Sequence, residues 1–505
     1  MQLRQFKRPS VVFVLLLLLA ALFLALWLPS AGQDDGIKTP KETLVVAVSS
    51  APRTLDSRLA TDAMSGRILE LVSLPLLSYN DDFSMKLEAA KSLSKQGLTW
   101  TFTLRDNVMF HDGTPLTASD VARFYRSLQN MPTSPYGALV ADVCQITVYN
   151  QAKIAFTFCD KEPFRANVFT RPLLKIDGRE RDYPIGLGAF KVTEVSPLGS
   201  VLLSRATPSK KYVNHLKFDV VSDPVVRLLK LQKGEAHLTQ NDLPPSLFNY
   251  GKEQGMVAKQ TPSDTYTYLG FNFDDDTLKN PAVRRAIAMA IDADTIMTTL
   301  LGGQADHANS VLPTSHPAHT PHPKLAYEPA RAMATLDEAG FTPNADGVRL
   351  RLTLSTTSNP STLLLIQAMQ EQLAKVGIEV SLNISEWGTF YGNVKKGNFQ
   401  LYMLTWVGRF QPDFFKYVFH SQSLPPAGAN RGRYVNPQMD TYIDNIMTGK
   451  NITENAQAVQ NLQAEDMVYV PLWRRANIAL MRPNVRGFTL DSEGSYKALL
   501  TTQLK

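Results

Sequence analysis

The amino-acid sequence predicts an α/β protein, and three patterns lead to this prediction. The first is a strand–helix–strand unit, in which alternating apolar residues at 348–354 and 378–384 flank helical spacing at 360–376. Two strands joined in this way by a helix almost always lie parallel in a right-handed crossover. The second pattern is clean alternation at 100–104, and the third is a further apolar strand at 399–404. Strands and helices are therefore expected to share common sheets.

Other elements follow in chain order. The apolar run 44–48 predicts a buried strand, and apolar residues recur at helical spacing around 67–77. Thr117 and Asp120 have the spacing of a helix capping box. Asn280-Pro281 predicts the start of a later helix, and another is expected to run from Glu328-Pro329 to Gly340.

The first thirty residues have the character of a leader. Arg4, Lys7 and Arg8 precede the unbroken apolar run Val11 to Leu28. This pattern is typical of a secretory signal or of a membrane anchor. Cleavage near Gly32 and retention of residues 11–28 as an anchor are both open interpretations. Both place the rest of the chain outside the cytoplasm.

Charge and catalytic motifs exclude several functional classes. The formal net charge of +6 includes three cations of the leader, so the remainder carries only +3, which is no nucleic-acid footprint. The sequence contains no Gly-x-Ser-x-Gly, His-Glu-x-x-His, phosphate-loop or Gly-x-Gly-x-x-Gly motif. We therefore expect no catalytic residues and no cofactor.

The histidine-rich stretch HPAHTPHP contains His316, His319 and His322. Three imidazoles at this spacing could meet on a metal ion only within a helix. The prolines among them forbid a helix and predict an extended loop. We expect no functional metal site here.

Cys144 and Cys159, the two cysteines of the chain, flank a predicted hairpin. A turn centred on Gln151-Ala152 places them opposite each other, where Cβ atoms approach disulfide distance. An exported chain makes oxidation plausible, so we predict a structural disulfide rather than two free thiols.

Eight segments, taken together, resemble the peptide-type extracellular solute-binding proteins of ABC importers (family 5, dipeptide- and oligopeptide-binding-like). They occur in family order and are FTLRDNVMFHDGTPLTASDVARFYRSL (102–128), GLGAF (186–190), LGFNFDDDTLKNPAVRRAIAMAID (269–292), the helix at 328–340, Glu386-Trp387, TWVG (405–408), NRGRYVNPQMD (430–440) and YVPLW (469–473). The resemblance covers residues 42 to the end.

The resemblance implies a two-lobed, periplasmic-binding-protein-like fold with a hinge and an extra domain on lobe I. The implied segments are a signal peptide or anchor at 1–32, a linker at 33–41, lobe I at 42–76, the extra α/β domain at 77–180, lobe I again at 181–268, lobe II at 269–480 and a return to lobe I at 481–505. The chain is expected to cross into lobe II near Leu269 and back near residue 480. Hinge closure around a ligand is the expected motion.

The resemblance also implies where the ligand lies. In the family's peptide binders, a Trp-x-x-Asp segment after a lobe II strand holds the ligand's α-amino group. This chain matches at Trp406 and departs at Arg409, whose positive charge would repel an ammonium group and whose planar fork suits an anion. Trp387 matches a stacking aromatic of the family. The expected ligand-binding residues are Trp387, Trp406, Val407, Gly408, Arg409, Phe410 and Asp413. Core packing for Trp387, and internal pairing of Arg409 with Asp413, are the structural alternatives.

The resulting functional expectation is a monomeric, periplasmic or membrane-tethered binding protein. It would capture a small organic solute with a negative group and an apolar portion, or a modified peptide, and deliver it to permease and ATPase subunits. One alternative is an ordinary dipeptide- or oligopeptide-binding protein in which Asp413 captures the amine. A second is an envelope hydrolase or a membrane-tethered sensor.

Overall fold

The computed structural model describes residues 36–80, 82–159, 165–408 and 410–505. The leader expected at 1–32, with its apolar run 11–28, and Arg409 lie outside the described residues. Within the described part of the chain, no helix combines the length and the apolar character that crossing a membrane requires.

Seven of the described strands, numbered in chain order, form the largest sheet. Its spatial order is β12 (Val257–Thr261), β19 (Asn477–Met481), β11 (Leu238–Gln240), β1 (Thr43–Val48), β10 (His215–Val220), β9 (Val201–Arg205) and β8 (Phe190–Val195). The central strand β1 pairs in parallel with β10 and β11, whereas β9 and β19 run antiparallel to their neighbours.

The turn before β8 shows why GLGAF needs its two glycines. A Cβ atom on Gly186 would lie 2.2 Å from the carbonyl oxygen of Val72, and one on Gly188 would lie 2.3 Å from that of Leu71. Only glycine permits this close approach to the end of the helix Ala63–Val72. The motif therefore serves close packing against this helix.

Six strands form the second sheet. They lie in the order β14 (Ala305–His307), β18 (Tyr469–Arg475), β13 (Tyr266–Phe271), β17 (Leu401–Trp406), β15 (Leu350–Thr357) and β16 (Ile378–Ser385). The predicted strand–helix–strand unit is present, because β15 and β16 pair in parallel and the helix Pro360–Ala374 joins them. β17 extends this parallel group and pairs antiparallel with β13. The mixed architecture confirms the α/β fold class.

Two short segments connect these sheets. β12 ends at Thr261 in the first sheet and β13 begins at Tyr266 in the second, while only Ala476 separates β18 from β19. The expected crossings near Leu269 and residue 480 fall inside β13 and β19. The changes of sheet occur at residues 262–265 and at Ala476.

A four-stranded antiparallel sheet lies within the range 77–180 expected for the extra domain. Its order is β4 (Ala90–Gln96), β5 (Thr99–Leu104), β7 (Lys153–Phe158) and β6 (Val143–Val148). Two separate strand pairs complete the described strands. They are β2 (Leu77–Tyr79) with β3 (Met85–Leu87) and β20 (Val485–Arg486) with β21 (Gln503–Leu504). The capping box is present, with Thr117 accepting from the Asp120 backbone and Asp120 accepting from the Thr117 backbone.

The hairpin β6–β7 contains the disulfide Cys144–Cys159, whose Cα atoms are 5.5 Å apart. The predicted register, however, is wrong by one residue. Ile146 faces Phe156 rather than Thr157, and an irregularity in the ladder falls between Val143 and Gln145. Cys144 occupies this bulge, which brings it beside Cys159 despite the shifted register.

Some helices pack on the sheets, such as Pro360–Ala374 on β15 and β16, and others pack on one another, such as Pro437–Met447 on Ile452–Glu465. The described α-helices are Ala63–Val72, Ala118–Gln129, Gly137–Val140, Pro224–Lys233, Pro245–Glu253, Pro281–Met289, Ala293–Thr299, Pro329–Glu338, Pro360–Ala374, Trp387–Lys396, Phe414–Phe419, Pro437–Met447 and Ile452–Glu465, with 3-10 turns at Arg165–Thr170 and Lys497–Thr501.

Candidate functional site

The candidate site is built on one face of the six-stranded sheet. β13 is buried on both faces, and its alternate residues enter different cores. Leu269 packs in an aliphatic core, whereas Tyr268 packs in an aromatic core that also contains Trp406. The ring of Tyr402 occupies the space that a Cβ atom on Gly270 would need. The sequence thereby concentrates rings where β17 ends.

Trp406, the last residue of β17, is 9% exposed. Its ring meets the edge of Phe414 at a centroid distance of 5.0 Å and lies nearly parallel to Tyr268 at 6.1 Å. Its indole Nε1 is buried and has no hydrogen-bond partner among the described residues. The structure therefore places the predicted Trp406 at the centre of an aromatic cluster.

The segment after Trp406 turns outward. Val407 is 44% exposed, and Gly408 has a φ of 123°, a backbone conformation that favours glycine. Phe410 stacks on Phe414 with ring centroids 3.8 Å apart. These predicted residues form an apolar wall beside Trp406.

Trp387 lies at the start of the helix Trp387–Lys396. The Glu386 carboxylate caps this helix by accepting from the Gly388 backbone at 2.8 Å. Trp387 is 43% exposed and stacks on Tyr391, with centroids 5.4 Å apart and ring planes inclined by 9°. Complete burial in a core is therefore excluded for Trp387, and one face of its ring packs on the protein.

Arg431 connects these aromatic groups, and sequence reasoning missed it. Its Nη2 donates to the Tyr391 hydroxyl at 3.0 Å and its Nη1 to the Tyr268 hydroxyl at 3.4 Å. Its guanidinium carbon lies 4.3 Å from the centroid of the Trp406 ring, at cation–π distance. The sequence block NRGRYVNPQMD contains this arginine, but its neighbours there give no sign of its burial.

The tyrosines around Arg431 do not neutralise its charge. Burial raises the pKa values of Tyr268, Tyr402 and Tyr469, so their hydroxyl groups stay protonated at neutral pH. No acidic side chain among the described residues forms an ion pair with Arg431, which is 6% exposed. The site therefore contains a buried, uncompensated positive charge.

Residues in the range 77–180 contact the segment that follows β17. Asn167 donates through Nδ2 to the Asp413 carboxylate and accepts through Oδ1 from the Tyr79 hydroxyl at 2.8 Å. Burial, with the nearby Asp413 carboxylate, raises the pKa of Tyr79, so this donor stays protonated. We name Tyr79, Asn167 and Asp413 the interdomain bridge.

A second contact runs parallel to the bridge. Gln411 donates to the backbone oxygen of Phe83 at 3.3 Å, and the Phe83 ring meets the edge of the His316 ring at 4.5 Å. Residues 411–413 therefore contact two separate parts of the range 77–180, at Phe83 and at Asn167.

The histidine-rich stretch contributes to packing. His316 is buried, and its Nδ1 accepts from the Ala318 backbone at 3.0 Å. The ring of His319 is hydrogen-bonded to the Leu312 carbonyl oxygen at 3.0 Å. Across the residues that the structure describes, no group of three or more His, Cys, Asp or Glu side chains is arranged to hold a metal ion.

Known proteins with related sequences match most of this chain. The sequence profile of the bacterial extracellular solute-binding proteins, family 5 Middle, matches residues 84–424. The oligopeptide-binding protein AppA of Bacillus subtilis is 24% identical over 95% of this chain and 96% of its own length. The glutathione-binding protein GsiB of Escherichia coli is 25% identical over 88% of this chain and 91% of its own length.

Solved structures agree on the fold. NikZ from Campylobacter jejuni, in complex with Ni(L-His), has a TM-score of 0.80 and 23% identity, and the similarity covers 91% of this chain and 98% of NikZ. The fold and the family profile together define a solute-binding protein. The chain belongs to the family 5 bacterial extracellular solute-binding proteins, the solute-binding components of peptide-type ABC importers, as the eight sequence blocks predicted.

Proposed function

We propose that this protein captures a small organic solute with a negative group and an apolar portion, or an amine-blocked peptide, between its lobes. The observation that carries the proposal is the aromatic cluster at the end of β17, where Trp406, Phe410 and Phe414 pack on one another, together with the exposed Trp387. Rings of this kind provide the apolar surface on which ligand pockets depend. Capture requires no covalent step.

The sequence supports the proposal that the solute carries a negatively charged group. Arg409 follows Trp406 where the family's peptide binders have an aspartate for the α-amino group. A cation at that place would repel a free amino terminus and attract an anion. Charge-assisted hydrogen bonds contribute about 1.5–3 kcal/mol each, which is enough to select between the two kinds of ligand.

Capture of ordinary peptides is the second candidate, and the relatives favour it. AppA is named for oligopeptides, and another relative, from Pseudomonas aeruginosa, is a di/tripeptide-binding protein. In this alternative, Asp413 would bind the peptide amine in place of the missing aspartate. The hydrogen bond from Asn167 to the Asp413 carboxylate competes with that role.

Delivery completes the proposed cycle. The closed protein would dock as a monomer on the permease of an ABC importer, whose ATPase subunits drive uptake. We propose that it acts in the periplasm, either released after cleavage of the leader or tethered by residues 11–28.

A matched pair of peptides tests the proposal. Calorimetric titration would compare trialanine with N-acetyl-trialanine, which lacks the free amino group. We expect the acetylated peptide to bind at least tenfold more tightly, and Arg409→Asp to reverse the order. Tighter binding of trialanine to wild type, unchanged by Arg409→Asp, would support the ordinary peptide-binding alternative.

A further inference from the structure

We propose that Arg431 is a specificity-determining residue of the solute site and that it recognises a carboxylate group of the solute. This inference rests on the proposed function, since it names the chemistry that the same cleft selects. It concerns a residue on a different segment from Arg409, brought to the site by the fold.

The burial of the Arg431 guanidinium group carries a cost in free energy. Removing a guanidinium group from water is expensive unless a counter-charge and hydrogen bonds compensate it. Arg431 is 6% exposed, and within the described residues its polar partners are the hydroxyl groups of Tyr391 and Tyr268. Such a cation is stabilised when an anion arrives, so the free site favours negative solutes.

A second argument is the number of donors. A guanidinium group carries five N–H bonds in a planar fork. Two of them are used on the tyrosine hydroxyls. The remaining three have no acceptor among the described residues, and a planar carboxylate offers two oxygens in the geometry that such a fork matches.

The position of Arg431 brings its guanidinium group close to the aromatic side chains. The Arg431 guanidinium lies 4.3 Å from the Trp406 ring centroid and 5.3 Å from that of Tyr391. Tyr391 in turn stacks beneath Trp387, and Tyr417, which flanks Trp406 at 6.5 Å, is 42% exposed. The cation is therefore one aromatic layer behind the surface of the cleft. A carboxylate that reaches it brings the attached apolar portion against these rings.

The packing also explains why the site requires arginine. The guanidinium lies over the Trp406 ring and donates to both tyrosines. An ammonium group on a lysine keeps the charge but loses the planar fork and its two-pronged donor geometry. Arg431→Lys is therefore expected to weaken carboxylate recognition without abolishing it.

The experiment uses hippurate, an aromatic amide with one carboxylate, and hippuramide, its neutral counterpart. The full chain, freed of bound solute by dialysis, would be unfolded thermally with each compound at constant ionic strength. Because a ligand that binds only the folded state raises Tm, the shift reports binding. We expect hippurate but not hippuramide to raise the Tm of wild type. Arg431→Gln should weaken apparent hippurate affinity at least tenfold, with Arg431→Lys intermediate.

The matched control is Arg433→Gln, which removes the same charge from the same loop. Arg433 donates to the Lys396 carbonyl oxygen at 2.6 Å and approaches Asp274 at 3.4 Å, so it has partners of its own. We expect this variant to keep the hippurate response. Arg431→Lys also covers the case in which Arg431→Gln fails to fold.

Three results would overturn the proposal: no hippurate response of wild type, equal responses to hippurate and hippuramide, or an undiminished response in both Arg431 variants. Native mass spectrometry of solutes captured from a bacterial extract distinguishes failure of the Arg431 proposal from failure of the proposed function. Solutes captured equally by wild type and both variants would leave capture standing and remove the role of Arg431. No captured solute on wild type would contradict the proposed function itself.

Discussion

Individual tryptophans differ sharply in exposure. Trp387, at the start of the helix Trp387–Lys396, is 43% exposed, whereas Trp473, in β18, is completely buried. An exposed ring that stacks on a neighbour contributes little to folding, but it offers a large apolar surface to a ligand. Exposure therefore indicates which ring is available for function.

Trp387→Ala is expected to weaken solute binding severalfold and to change the free energy of unfolding by less than about 1 kcal/mol. Trp473→Ala, as the matched control, should cost about 3–5 kcal/mol because it leaves a cavity in the core. Urea denaturation and ligand titration of both variants would check this. A large loss of stability in Trp387→Ala, with unchanged affinity, would mean that Trp387 is a packing residue.

Glu70 provides a prediction about pH. Burial raises its pKa from 4.5 to about 7, the Glu493 and Asp491 carboxylates add to that effect, and the Lys497 and Arg67 cations oppose it. The folded-state pKa of Glu70 lies above its unfolded-state value. The contribution of the protonated Glu70 carboxyl to the free energy of unfolding is therefore fully present below about pH 4.5 and is lost as the pH rises through 7. The expected loss between pH 5 and pH 8 is on the order of 2–3 kcal/mol.

Glu70→Gln should remove this component of the pH dependence, because the side chain stays neutral. Urea unfolding at pH 5 and pH 8 would measure it, with the exposed Glu235→Gln as control. Equal pH dependence of wild type and Glu70→Gln would show that the Glu70 carboxylate ionises without cost.

At the scale of elements, local patterns determined what could be predicted. The capping box at Thr117 and the unit formed by β15, the helix Pro360–Ala374 and β16 depend on neighbours in sequence, and both were predicted within a few residues. The hairpin β6–β7 was predicted with its disulfide, but its register was wrong because the bulge at Cys144 has no signature in the alternation of apolar residues.

The candidate site was predicted in part for a related reason. Trp387 and Trp406 lie at ends of elements that the sequence marks, so their places could be anticipated. The environment of Arg431 depends on Tyr268, 163 residues away, and on Tyr391, 40 residues away. Periodicity within a segment carries no information about such distant partners.

The disulfide is the element whose removal is simplest to test. It closes a loop with a sequence separation of 15, for which a cross-link contributes about 3 kcal/mol. Reduction should therefore lower the stability of the four-stranded sheet by about 2–4 kcal/mol. Denaturation with and without a phosphine reductant would measure this, and the Cys144→Ala/Cys159→Ala variant should be insensitive to the reductant. Equal stability of reduced and oxidised wild type would contradict a structural role.

At the scale of the whole molecule, two connections between sheets and the interdomain bridge define the expected motion. The sheets are joined at residues 262–265 and at Ala476, which leaves few positions that must change conformation during closure. The bridge joins Asn167, in the range 77–180, to Asp413, in the segment that follows β17. Contacts made only in the closed form favour that form and thereby raise affinity.

Asn167→Ala should therefore weaken solute binding severalfold while leaving thermal stability nearly unchanged, because the hydrogen bond that it loses to Asp413 joins the range 77–180 to the segment after β17, and the one from Tyr79 lies within that range. Asn150→Ala, at the exposed tip of the hairpin β6–β7, is the control within the same domain. Calorimetric titration with small-angle scattering would follow affinity and closure together. Unchanged affinity and unchanged closure in Asn167→Ala would show that the bridge does not stabilise the closed form.

The central claim is that the cleft selects a solute with a negative group rather than a free amino terminus. Native mass spectrometry of the purified protein, followed by denaturing release of the co-purified solute, tests it most directly. The account predicts an acidic or amine-blocked molecule that is lost from Arg409→Asp. Peptides with free amino termini, retained by Arg409→Asp, would contradict it and would identify an ordinary peptide-binding protein.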